Sequence, residues 1–139
     1  MTLLKNAVAE IIDELQTMSG IRRVPDEPPE NNEQFPFAVV YPLTGLFTQG
    51  PAVLMKGLHS INIELHVARK DLPRDYTQVM DLIDEIPYQL MKLRKDGGLS
   101  QIATFGEINY TFGPLSWAMV DTLGVTYTIT NVKVERTIT

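Results

Sequence analysis

Leu58-His59-Ser60-Ile61-Asn62-Ile63-Glu64-Leu65-His66-Val67-Ala68-Arg69 is the stretch that decides the fold, because its apolar and polar residues alternate. Ile61, Ile63, Leu65 and Val67 share one parity and Ser60, Asn62, Glu64 and His66 the other, the period of two that a half-buried strand requires. Upstream, Phe35-Pro36-Phe37-Ala38-Val39-Val40-Tyr41 is apolar at both parities, as in a strand covered on two faces, and Pro36 sets its start near Phe37. Between the two runs, Gly45, Gln49-Gly50-Pro51 and Gly57 mark turn positions, so residues of about 37–69 read as one long hairpin. Its distal part carries Leu46, Phe47, Val53, Leu54 and Met55, an apolar content unusual for a turn.

Helices flank this hairpin. Leu4, Val8, Ile11, Ile12, Leu15 and Met18 recur at helical spacing, with Thr2 placed to cap the start and Gly20 to end the helix in the left-handed region. Residues 21–34 hold Pro25, Pro28 and Pro29 among Asp26, Glu27, Glu30 and Glu33 and read as an acidic, partly extended loop. A second helix spans about 72–96, opening at Asp71 or Leu72 with Pro73 in its first turn. Tyr76, Val79, Ile83, Ile86, Leu90 and Leu93 form its stripe. Lys92, Arg94 and Lys95 suit its C-terminal dipole, and Gly97-Gly98 closes it. Pro87 removes a ladder donor and crowds the carbonyl of Ile83, so the helix is expected to kink or restart there.

The C-terminal part, about 102–138, reads as strands. Ile108, Tyr110 and Phe112 alternate up to Gly113-Pro114, Leu115, Trp117 and Met119 resume the pattern, and Asp121-Thr122-Leu123-Gly124 is expected to turn. The last run begins with Val125, Tyr127 and Ile129 on odd positions and continues with Val132, Val134 and Ile138 on even ones. Such a one-residue slip predicts a bulge near Thr130 or Asn131. The expected fold is therefore a single α+β domain over 1–139, with a mixed, largely antiparallel sheet packed against two main helices and a long protruding β-hairpin.

A chain of 139 residues can bury one ordinary core, about 70% of its unfolded surface. It contains no cysteine, which excludes disulfides, thiolate metal sites and cysteine nucleophiles. The formal charge of −5 disfavours a general nucleic-acid binder, which needs a Lys/Arg footprint. No signal-peptide core or membrane span is legible, so no membrane association is expected.

Catalysis needs converging titratable groups, and the candidates diverge. His59 has the apolar parity and His66 the polar parity of one strand, so the two cannot share a metal, and structural or surface roles are expected for both. Asp13-Glu14 and Asp84-Glu85 are adjacent on helices and point about 100° apart, as on a solvated face. The glycine-bearing stretches lack the lysine-serine pair and strand-to-helix order of a phosphate loop. No catalytic, cofactor-binding or metal-binding residue is therefore assigned. Two features point to assembly: Arg22-Arg23 beside the acidic loop, which reads either as a solvated turn or as a basic contact for a neighbouring copy, and the apolar hairpin tip.

The element order, the acidic segment Val24-Pro25-Asp26-Glu27-Pro28-Pro29, the strand start Phe35-Pro36-Phe37 and the strand ending Ala68-Arg69-Lys70-Asp71 together resemble the tail terminator, or tail completion, proteins of long-tailed bacteriophages. The resemblance covers most of the chain in order and length. It implies a homohexameric ring that caps the tail tube and offers a surface to the head-tail connector protein, with tail tube protein and connector as partners. It also implies DNA passing through the lumen without specific binding, and location in the virion tail or neck after synthesis in the host cytoplasm. Other tail or neck rings, a head-tail adaptor or a tube subunit, would share these features. A small ligand-binding α+β domain is the alternative of a different class.

Overall fold

The computed structural model describes residues 4–31, 34–51, 53–69, 72–95 and 105–138. In chain order these form α1 (Leu4–Gln16), β1 (Phe37–Gly50), β2 (Leu54–Val67), α2 (Leu72–Ile83), α3 (Glu85–Lys95), β3 (Ile108–Trp117) and β4 (Val120–Thr137). The alternating stretch is β2, an inner strand of a four-stranded sheet in the order β1-β2-β4-β3. Among the described residues every strand pair is antiparallel, and the one parallel touch is a bridge between Arg23 and Phe37 at the β1 edge. The expected α+β class holds, with the second helix delivered in two pieces.

One face of the sheet makes the core. Ile61, Ile63, Leu65 and Val67 of β2 lie beside Ala38 and Val40 of β1 and Val125, Tyr127 and Ile129 of β4. Ala7, Ile11 and Leu15 of α1 and Val79, Ile86 and Leu90 of α2 and α3 cover them. Each fully buried aliphatic side chain stabilises the fold by roughly 1.5–3 kcal/mol relative to exposure.

The sheet is bulged on both sides of Ser60. In β1 the register slips between Pro42 and Thr44, leaving Leu43 as the extra residue; opposite it, His59 pairs with Val132 and Ile61 with Ile129, so β4 carries one residue more. Asn131 supplies the left-handed conformation that the β4 bulge needs, at φ 57°. The parity change in the sequence is this bulge. Because both flanking strands slip together, Val132 and Val134 return to the face of Ile129, and the sheet continues beyond the helices.

Four expectations change. The helix break lies at Asp84, with Pro87 in the first turn of α3, where its missing donor costs least. The Ile83 carbonyl that Pro87 cannot serve accepts instead from the Tyr127 hydroxyl at 2.7 Å. Gly113-Pro114 does not end a strand, since β3 runs through it as an edge strand, where proline is tolerated. The turn falls at Ala118-Met119, both at positive φ (51° and 65°), rather than at Asp121–Gly124. Gly124 is a mid-strand residue whose added Cβ would strike the Leu65 carbonyl. Gly20 is not left-handed; α1 ends in tight bonds from the Thr17 and Met18 amides to Glu14 and Leu15 (3.1 Å each), and a Cβ on Gly20 would lie 2.6 Å from Leu82 Cδ2. Thr2, Asp71 and Gly97-Gly98 lie outside the described residues.

Candidate functional site

Two arrangements could carry function, and they lie at opposite ends of β2. At its C-terminal end the polar parity is not solvated as expected. His66 is fully buried, stacked on Phe37 with ring centroids 4.7 Å apart, while Trp117 meets it edge-on at 5.7 Å. Trp117 Nε1 donates to the Pro29 carbonyl at 3.0 Å, so the acidic proline-rich loop is tied to this face. His66 Nδ1 lies 2.7 Å from the Thr122 hydroxyl and Nε2 3.0 Å from Glu64. A proton on Nε2 donates to the carboxylate, which leaves Nδ1 to accept from Thr122.

The chain of bonds continues. Tyr41 donates to the other Glu64 oxygen, Asn62 Nδ2 reaches the Tyr41 oxygen at 3.4 Å, and Thr128 donates to Asn62 Oδ1 at 2.8 Å. Burial alone would raise the pKa of Glu64, but the hydrogen bonds from His66 and Tyr41 and the attraction to His66 outweigh it and hold the carboxyl below its ordinary value. Tyr41 is pushed up by burial and, secondarily, by the Glu64 carboxylate, against the opposing bond from Asn62.

Hydroxyl, imidazole and carboxylate in this order resemble a nucleophilic triad in composition alone. A working nucleophile must face a space where a substrate atom can sit. Thr122 and His66 are both wholly enclosed, and the five best-formed cavities among the described residues are lined by other side chains. The array instead cross-links β1, β2 and β4 and seats the loop. Glu64 stands two residues before His66 on the same face, a pairing that strand parity contained.

The second arrangement is the distal end of the sheet. Beyond the bulges, β1 and β2 project with β4 still paired to β2 as far as Leu54 and Thr137. The expected two-stranded hairpin is thus one side of a three-stranded extension. Leu46 (63% exposed), Phe47 (60%) and Val53 (54%) present apolar surface there, while Leu54 and Met55 are half-buried. Leu58 adds a further exposed apolar side chain on the Leu46 face, beside Lys56 and Lys133 around a 210 Å³ hollow. Val53 holds φ 53°, a strained conformation for a β-branched residue, and its carbonyl accepts from the Ile138 amide at 2.6 Å.

Beneath Phe47 lies His59, 3% exposed, its ring spread over Gly45 and Gly57. A Cβ at either glycine would collide with the imidazole. Nε2 is buried without a hydrogen-bond partner, and burial lowers the pKa of the ring. Arg22 and Arg23 are not near the extension. Their amides bond the Pro36 carbonyl at 2.8 and 3.3 Å and the Arg23 carbonyl accepts from Ala38, which covers the start of the β1 edge at the other end of the sheet. No group of His, Asp or Glu among the described residues could hold a metal ion, and no described helix is long and apolar enough to cross a membrane. No protein-family model matches the chain, and no curated protein matches its sequence.

Proposed function

We propose that this protein is a structural, self-assembling ring subunit of a bacteriophage tail, serving as the tail terminator that caps the tube and meets the head connector. The observation that carries the reading is the three-stranded extension with Leu46, Phe47 and Val53 more than half exposed. Monomers seldom leave apolar side chains grouped on a projecting sheet, and burial against another copy removes that liability. The enclosed Thr122–His66–Glu64 array supports a structural rather than catalytic role, and the charge of −5 suits a lumen that DNA traverses without binding. Tube protein, connector and further copies of the chain are the partners in this reading.

Native mass spectrometry of the purified chain, with electron micrographs of the same sample, tests it. A closed ring, six copies in the resemblance-based reading, is the expected outcome. A strict monomer at tens of micromolar that adds to no tail tube would reject it. Rings that attach to the head vertex rather than the tube end would favour the adaptor role.

A further inference from the structure

The extension needs a receiving surface, and the same molecule offers one. A groove of about 400 Å³ runs between α1 and the β1 bulge, lined by the apolar Leu4, Val8, Ala9, Ile12 and Pro42 and by the charged Asp13, Asp26 and Lys5. We propose that this groove is the seat for the extension of a second copy, with Phe47 entering the apolar lining and Arg136 meeting the two carboxylates. The proposal rests on the ring-subunit reading and assigns its two contacting surfaces.

Charge favours this pairing. Among the described residues, the extension beyond the bulges carries Lys56, Lys133 and Arg136 against Glu135 alone, and Glu135 is held by Lys133 at 3.2 Å. The groove, by contrast, is lined by the two carboxylates Asp13 and Asp26 against Lys5. Opposite net charges on the two surfaces align copies head to tail and oppose the meeting of two extensions.

Dimensions agree as well. Phe47 is in line with Gly57 and Val134 across the sheet, and Arg136 lies two residues further on the same face. Two strand spacings and two residues separate Phe47 from Arg136 by about 12 Å. Along α1, Leu4 and Asp13 are separated by about 14 Å at helical rise. One apolar contact and one ionic contact can therefore be made together. Because groove and extension are different surfaces, the contact is heterologous, the kind that builds a ring where the rotation between copies closes.

The absence of native cysteine permits a direct test. Ala9→Cys, exposed at the groove, and Phe47→Cys are prepared separately, one with a mass tag, and oxidised alone and mixed. A disulfide joining the two variants only in the mixture is expected, and the double variant should form a covalent ladder ending at the ring. Self-linking of Phe47→Cys would mean that extensions meet each other, and overturns the proposal. Rings without the mixed disulfide would overturn the groove while sparing the ring reading; monomers throughout would reject both.

Charge exchange supplies a second readout. Asp13→Lys or Arg136→Glu should each raise the assembly midpoint concentration about tenfold or more, and the pair together should recover most of that loss. No recovery in the doubly reversed variant argues against the assigned register.

Discussion

His59 shows how much one buried ring can constrain its surroundings. Its imidazole occupies the space that two side chains would fill, which is why glycine stands at 45 and 57. Gly45→Ala should cost about 1–3 kcal/mol through overpacking, read as a lowered urea midpoint. An unchanged midpoint would mean that the ring moves aside freely. The same burial gives a pH dependence whose sign can be worked out. The folded pKa lies below the ordinary value of 6.5, so the unfolded chain binds the proton first. The stability contributed by neutral His59 is complete above that value and is lost as pH falls towards the folded pKa. Urea midpoints one unit above and one unit below it should differ more for the native chain than for His59→Leu. Equal differences would remove His59 as the cause.

Among the elements, the break between α2 and α3 is best explained by a substitution of bonds rather than by loss of one. Pro87 leaves the Ile83 carbonyl without its helical donor, and the Tyr127 hydroxyl takes that place. Tyr127→Phe should therefore cost about 1–3 kcal/mol by orphaning the carbonyl. In a Pro87→Ala background the alanine amide can serve Ile83, so the cost of Tyr127→Phe should shrink by about half or more in a double-mutant cycle. Strict additivity would show that the two groups do not share the carbonyl. The need for a break was legible in the sequence, as was the β4 bulge, because proline chemistry and strand parity are local rules. The Ala118-Met119 turn was not. Neither residue favours positive φ, and the pairing of β3 with β4 over ten positions imposes it against local preference. Gly124 looked like a turn residue because packing against Leu65, which sequence does not display, is what requires glycine there. The apolar extension was legible in composition, yet its third strand was not, since that depends on which distant segments become neighbours.

At the scale of the whole molecule, the energetics of the extension decide how assembly should proceed. Phe47 on the docking face and Val53 at the tip are each more than half exposed, while Leu46 lies on the opposite face, so burying what remains yields about 1–2 kcal/mol apiece, roughly 2–4 kcal/mol per contact. Association of two bodies costs about 4–15 kcal/mol in lost rigid-body freedom, which leaves a single contact weak. Closing a ring adds one more contact without immobilising another subunit, so the closed species gains what open chains lack. Monomer and ring should therefore coexist with few intermediates as concentration rises in sedimentation velocity. A graded series of dimers, trimers and tetramers would show that each contact is strong alone. Leu46→Asp with Phe47→Asp should abolish the ring while leaving the circular dichroism spectrum near that of the native chain, because both side chains contribute mainly exposed area to the monomer. Loss of the spectrum along with the ring would place these side chains in the monomer's own folding core. Rings that persist in the double variant would move the interface off the extension altogether, and with it the reason the sheet continues past its helices.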